Sequence, residues 1–162
     1  MELTTGSFGQ ALSQAAGIAL ARRLDGETGK TWVFMSDGEF EEGQTYEAIQ
    51  AMVHYNLDSV GVYVDVNGQQ VDGATKDVMN IEPLAGRLRG FGAHVESVDG
   101  HDLKALYEAS QVDHGGKPLF ILCYTDSSRG VPPLEKRKPY LHFVRFKSEE
   151  EKRELPTFLE TT

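Results

Sequence analysis

Polar and apolar residues along this chain alternate between a helical period and short, nearly continuous apolar runs. From Ser7 to about Leu24, Phe8, Leu12, Ala15 and Ala19 fall at helical spacing and Arg23 continues it, with Ala11, Ala16 and Leu20 widening the apolar face. Ser7 is the candidate N-cap. The many alanines predict a thin helix that can lie close against a sheet or another helix. A polar, glycine-containing turn, Asp25 to Lys30, then leads into Thr31-Trp32-Val33-Phe34-Met35, apolar on both faces as a central parallel strand should be. Glu42 to about Asn56 reads as helix, with Tyr46, Ile49, Val53 and Leu57 as its predicted inner stripe. Ser59–Val66 is a second strand. Glu82 to about Gly90 predicts a short helix with Pro83 tolerated in its first turn, Ala93–Val98 a third strand, and Leu103–Val112 a helix with Leu103, Leu106, Tyr107 and Ser110 inward. Pro118–Tyr124 is a fourth strand. Strands alternating with helices predict an α/β fold, a mostly parallel sheet with helices on both faces.

The chemistry lies where two of these strands end. The first delivers Ser36-Asp37-Gly38-Glu39 and the second delivers Val66-Asn67, with one helix between them. Such a βαβ unit puts both polar tips at the same sheet edge, the edge where α/β proteins bind ligands. Asp37 offers a carboxylate and Asn67 an amide oxygen, while Gly38 lets the backbone approach a phosphate at a helix start. Oxygen donors point to magnesium or calcium beside an anionic cofactor. Glycine at 68, directly after Asn67, permits a tight bend at the strand end. Glu39, Glu41 and Glu42 cluster where negative charge meets the positive end of a helix dipole.

Length and charge narrow the classes further. At 162 residues the chain is one domain's worth, assigned here to 1–146, with a charged C-terminal tail over 147–162 in which Phe158 and Leu159 offer a weak partner contact. A balance of 25 acidic against 16 basic residues, net −9, opposes nonspecific nucleic-acid binding. No signal peptide and no apolar run of about 20 residues is visible, so a cytoplasmic protein without a membrane segment is expected. Cys123 stands alone in an apolar run and reads as a buried structural cysteine. No histidine pair has metal-ligand spacing, and His101 reads as a turn-stabilising residue.

Asp37-Gly38, then Glu41-Glu42-Gly43, then Asn67 thirty residues after Asp37, resemble the thiamine diphosphate motif, with Ser36 in place of its usual first glycine. Thr5-Gly6-Ser7-Phe8-Gly9-Gln10-Ala11-Leu12, Asn67-Gly68-Gln69-Gln70-Val71-Asp72-Gly73, and Phe91-Gly92-Ala93-His94-Val95 with Val98-Asp99-Gly100-His101-Asp102 are similar to transketolase blocks and occur in family order over roughly residues 3–131. The resemblance implies the thiamine diphosphate-binding (diphosphate) domain of that family. It implies Mg2+ held by Asp37, Asn67 and the Gln69 main-chain carbonyl, and a cofactor touching Gly6, Phe8, Asp37, Gly38, Glu39, Asn67, Gln69 and Val71. Phe8 stands where the family commonly has leucine. Glu42 matches a glutamate that communicates across the subunit interface with the catalytic glutamate of the partner domain. His142, after the partly retained Arg129-Gly130-Val131 turn, matches a histidine at the diphosphate and substrate.

Two further expectations concern what surrounds the domain. Met1-Glu2-Leu3 runs straight into the first block, whereas transketolases carry a preceding segment with histidines for diphosphate and sugar. The resemblance therefore implies one subunit of a split transketolase-like enzyme. A partner would supply the pyrimidine-binding domain, in a heterotetramer, and a two-carbon ketol unit would pass from a ketose phosphate to an aldose or carrier-bound acceptor. The alternatives are a 2-oxoacid dehydrogenase E1 α-like subunit serving a lipoyl or acyl carrier protein, and a noncatalytic module binding cofactor or partner.

Overall fold

A computed structural model describes residues 4–138, 141–142, 145–146 and 148–153 of the chain. In chain order the elements are α1 (Gln10–Leu24), β1 (Thr31–Ser36), a 3-10 turn (Asp37–Glu41), α2 (Gly43–His54), β2 (Val60–Val66), β3 (Gln69–Gln70), β4 (Gly73–Ala74), α3 (Thr75–Val78), α4 (Leu84–Phe91), β5 (His94–Asp99), α5 (Leu103–Ser110), β6 (Leu119–Tyr124) and α6 (Pro132–Glu135). The long strands lie in the spatial order β1, β2, β6, β5, and every neighbouring pair is parallel. β3 and β4 form a separate antiparallel hairpin. Phe158 and Leu159 lie outside the described residues. Among the described residues no helix is long and apolar enough to cross a membrane.

Strand order decides which face each helix covers. The steps from β1 to β2 and from β2 to β5 run one way across the sheet, and the step from β5 back to β6 runs the other. Right-handed crossovers therefore put α2 and α4 on one face and α5 on the opposite one. The buried clusters match this division. Leu12 and Ala15 of α1, Ile49 and Met52 of α2 and Leu88 of α4 pack with Val62, Val64 and Phe120 on the first face. Ala109, Leu119, Ile121 and Cys123 form the smaller cluster on the second. Each fully buried aliphatic or aromatic side chain contributes roughly 1.5–3 kcal/mol, so the three-helix face carries most of the stability.

The second face is only half covered, because α5 lies over β5 and β6. Over β1 and β2 the aromatic residues shield one another: Phe34 stacks on Tyr63 at 5.3 Å between ring centroids, and Trp32 meets Tyr63 at 5.1 Å. Phe34 stays 76% exposed. Gly61 is required beneath this group, since a Cβ there would occupy the Trp32 ring.

Two predicted helix faces are rotated in the structure. In α2, Ile49 is buried as predicted, as is Leu57 just beyond its end, but Thr45, Ala48 and Met52 are the other buried residues, and Tyr46 and Val53 are only half-buried. The reason is that α2 packs on the sheet, on the start of α1 and on α4. Tyr46 therefore sits half-buried at the margin, donating its hydroxyl to the Phe40 carbonyl at 2.8 Å and stacking on Phe91. In α5, Ser110 is buried as predicted and Leu106 packs half-buried against the smaller cluster, but Leu103 and Tyr107 are 81% and 66% exposed and Ala109 takes an inward place. Asp102 caps this helix by accepting from the Lys104 and Ala105 amides, which fixes its rotation with the small residues inward. The start of α1 differs as well: its N-cap is Gly9, with φ +75°, and not Ser7. A side chain at Gly9 would press on Glu42 Cβ at 3.0 Å and Thr45 Oγ1 at 3.2 Å, so glycine is what lets α1 begin against α2.

Candidate functional site

The parallel register brings the C-terminal tips of the strands to one edge, with Ser36 opposite Asp65 and Val66 opposite Tyr124. From Ser36 the chain enters the 3-10 turn, which a capping box between Ser36 and Glu39 holds in place. The Glu39 carboxylate accepts from the Ser36 amide through one oxygen and from the Gly9 amide through the other, each at 3.1 Å. One side chain thus ties the start of α1 to the end of β1. Glu39 was expected at the cofactor; its contacts here are with the backbone that frames Asp37 and Gly38.

Asp37 is the centre of this edge. Only 1% exposed, its carboxylate accepts from the Gly38 amide at 3.0 Å, the Gly68 amide at 2.9 Å and the Thr75 hydroxyl at 3.3 Å. None of the ion pairs among the described residues gives it a cation. Burial pushes its pKa above the ordinary 3.8, against the lowering by these three hydrogen bonds, and the nearby Asp65 carboxylate adds to the rise. The bond from the Gly68 amide spans 31 residues and joins the tip of β1 to the bend after β2. Gly68 has φ +69°, the left-handed conformation that this bend demands.

Asn67 stands between two partners of opposite kind. Its Nδ2 donates to Asp65 at 2.7 Å and its Oδ1 accepts from the Gln69 amide at 2.9 Å. One lone pair of Oδ1 is left for a further partner. The Gln69 side-chain Oε1 is buried and has no hydrogen-bond partner among the described residues. The β3–β4 hairpin then turns at Val71, an exposed apolar side chain at its tip. On the other side, a Cβ at Gly38 would meet Gln70 Cβ at 3.4 Å and the Phe8 ring at 3.9 Å, so Phe8 and the hairpin converge over Gly38.

The donor set fits a hard divalent cation. Among the described residues no three His, Cys, Asp or Glu side chains gather as a metal site. A single buried carboxylate without a cation among the described residues, with the Asn67 amide oxygen next to the Gly68 amide that the carboxylate binds, leaves coordination positions for phosphate oxygens and water, as Mg2+ prefers. The same residues fit a diphosphate cofactor, because a cation neutralises both the desolvated Asp37 and the phosphates.

The remaining predicted site residues lie further out. Glu42 is exposed at the N-cap of α2. Its neighbour Glu41 turns inward: one of its carboxylate oxygens is buried without a hydrogen-bond partner among the described residues, and burial, with Glu42 and Asp72 nearby, raises its pKa. Gly6 is exposed ahead of α1, and nothing lies within 4 Å of a Cβ built on it. His142 is exposed at a bend beyond α6, and the hydrogen bonds given above for Asp37 and Asn67 do not involve it. His101 takes a hydrogen bond from the Asp126 amide at 2.8 Å, in the turn-stabilising role its sequence context suggested. Burial pushes the Cys123 thiol up to about 11, consistent with an inert structural cysteine. Sequence reasoning overlooked Asp65, Thr75 and the Ser36–Glu39 capping box. The last had a readable signal, a serine followed three residues later by glutamate.

A family model described as "Transketolase, thiamine diphosphate binding domain" matches residues 1–152. The chain is 39% identical over 153 residues to a transketolase family protein of Sinorhizobium fredii, covering 93% of this chain and 54% of that protein. It is 37% identical over 135 residues to a 6-deoxy-6-sulfo-D-fructose transketolase subunit of a Clostridium species, covering 81% and 48% respectively. The transketolase of Leishmania mexicana superposes with a TM-score of 0.68 at 27% identity, over 76% of this chain and 20% of that one. The chain spans about half the length of these curated relatives.

Proposed function

The chain belongs to the transketolase family, and we propose that it carries the diphosphate-anchoring half of a split enzyme that moves a two-carbon ketol unit from a ketose phosphate to an aldose. In this reading the pyrimidine-binding domain lies on a partner subunit and the two assemble as a heterotetramer. The Clostridium relative, itself named as a transketolase subunit, supports the division. The observation that carries the reading is Asp37: a buried carboxylate held by amides and a hydroxyl, without a cation partner among the described residues, beside the Asn67 amide.

When bound, thiamine diphosphate supplies the electron sink for cleaving and remaking a carbon–carbon bond next to a carbonyl. The chain's own residues anchor and orient it. Asp37, the Asn67 amide oxygen and the Gln69 carbonyl would hold Mg2+, and the Gly38 backbone would meet the diphosphate. Phe8, Val71 and the backbone at Gly6 would border the rings, with Glu39 fixing the backbone on which Gly38 sits. Glu42, exposed at the N-cap of α2, would face the partner and share a proton with a carboxylate there. His142 would reach the diphosphate and the sugar.

The test is reconstitution. The protein is purified with the subunit it assembles with and supplied with thiamine diphosphate and Mg2+, then a panel of ketose phosphates is offered with aldose acceptors. Ketol transfer that requires both subunits and both cofactors is the expected result. A complex that binds thiamine diphosphate but transfers nothing from any ketose would overturn the substrate class, and a complex that binds no cofactor would overturn the reading as a whole.

A further inference from the structure

Asn67 can serve a cation only through its oxygen, yet an amide side chain is nearly symmetric in shape and needs neighbours to choose which end points where. The structure supplies two such neighbours. The Gln69 amide can only donate, and it faces Oδ1 at 2.9 Å; Asp65, as a carboxylate, can only accept, and it faces Nδ2 at 2.7 Å. Reversing the amide would set two donors against each other on one side and two acceptors on the other. The Asp65 carboxylate is itself fixed, because its second oxygen accepts from the Thr125 hydroxyl at the end of β6.

Thr125 is held in turn by the turn that follows β5. The Gly100 amide donates to the Tyr124 carbonyl at 2.8 Å, the Thr125 amide to the Val66 carbonyl at 3.1 Å, and the Asp126 amide to His101 Nε2 at 2.8 Å. Gly100 lies so close that a Cβ there would collide with the Thr125 methyl. The Asp99-Gly100-His101-Asp102 block, which takes no part in the hydrogen bonds given above for Asp37 and Asn67, thereby gains a function: it braces the residue that braces Asp65.

Resting on the cofactor reading above, we propose that Asp65, secured by Thr125, is the positioning residue that turns the Asn67 amide oxygen toward the bound cation. Asp65 acts on Asn67 through a hydrogen bond and is not itself a ligand. Loss of an outer partner of this kind typically costs on the order of 10–100-fold in metal affinity.

Two readouts test this. In the cofactor-free protein, the Asn67 side-chain amide protons are followed by NMR; Asp65→Ala is expected to remove their protection from exchange while backbone signals across the sheet stay in place. In the protein purified with its partner subunit, Mg2+ is titrated in the presence of thiamine diphosphate. Asp65→Ala is expected to weaken Mg2+ on the order of 10–100-fold, whereas Asp65→Asn, whose carbonyl still accepts from Asn67, retains most of the affinity. Thr125→Val is expected to fall between them. Wild-type affinity in Asp65→Ala overturns the proposal. Equal loss in Asp65→Asn and Asp65→Ala overturns it too, because the negative charge, and not the hydrogen bond, would then be what matters. If the unsubstituted complex binds no Mg2+ while the NMR signature of the Asp65–Asn67 bond is present, the cofactor reading fails and the positioning role falls with it.

Discussion

Two carboxylates at the same sheet edge have opposite fates. Asp37, at the tip of β1, is buried, takes three hydrogen bonds and has no cation partner among the described residues, and burial raises its pKa. Asp126, just beyond β6, is in open solvent, pairs with Lys138 Nζ at 2.8 Å and accepts from the Ser128 amide and hydroxyl, and these hold its pKa far below the ordinary carboxylate range. Asp99, nearby and likewise solvated, is lowered by the His101 amide and by Arg129. Satisfied charges of this second kind shape loops. A buried carboxylate with no cation among the described residues carries a desolvation cost that a proton or a bound cation can offset, so the contrast favours the Asp37 end as the candidate binding end.

The largest effect that sharpens this contrast comes from Asp37→Asn. Because the folded-state pKa of Asp37 lies above its unfolded value, the stability associated with its protonation is complete below the unfolded value and is lost as pH rises through the folded one. At neutral pH, without cation, the carboxylate is therefore a burden. Thermal melting should show Asp37→Asn, in the absence of cofactor, free of the loss of stability with rising pH that the wild type carries, and unable to gain from Mg2+ with thiamine diphosphate. An Asp37→Asn protein that keeps the wild-type pH dependence of melting would show that another group sets it.

A middle-sized effect is expected from Gly100→Ala, which pushes a methyl against Thr125 and within 3.1 Å of the Tyr124 carbonyl. Forced overpacking of this sort costs about 1–3 kcal/mol, readable by denaturant unfolding, and it should also weaken Mg2+ binding through Thr125 and Asp65. The smallest effect belongs to Lys138→Ala. It removes a solvated ion pair of the kind that contributes little, so a barely shifted melting point and unchanged cofactor affinity are expected, and a calorimetric titration showing lost affinity would blur the distinction between the two carboxylates.

Much of the candidate binding end was legible in the sequence, because its signals are local and chemical. Asp37-Gly38 and Asn67 sit at the ends of apolar runs whose strand character is unambiguous, and Gly68 indeed adopts a left-handed bend. Asp65 was not legible. It alternates with the valines of β2 as any outward polar residue would, and only the register that sets β6 beside β2, with Thr125 just beyond its end, gives it a task. The rotations of α2 and α5 were missed for a related reason. Large apolar residues suggested the inward face, and Ile49 and Ser110 do lie there, but Thr45, Ala48 and Ala109 fill space where Tyr46, Leu103 and Tyr107 were expected. Gly9 was passed over for Ser7 because the need for a positive φ arises from Glu42 and Thr45, more than thirty residues away.

The central claim is that Asp37 seats the cation through which the chain holds its cofactor. The most direct measurement is a calorimetric titration of thiamine diphosphate, at saturating Mg2+, into the protein purified with its partner subunit, for wild type and Asp37→Ala. Loss of one charged interaction of about 1.5–3 kcal/mol predicts a weakening of roughly 10–150-fold or more in the variant. Equal affinity in the two proteins would contradict the account, since the buried carboxylate would then hold no cation that the cofactor needs.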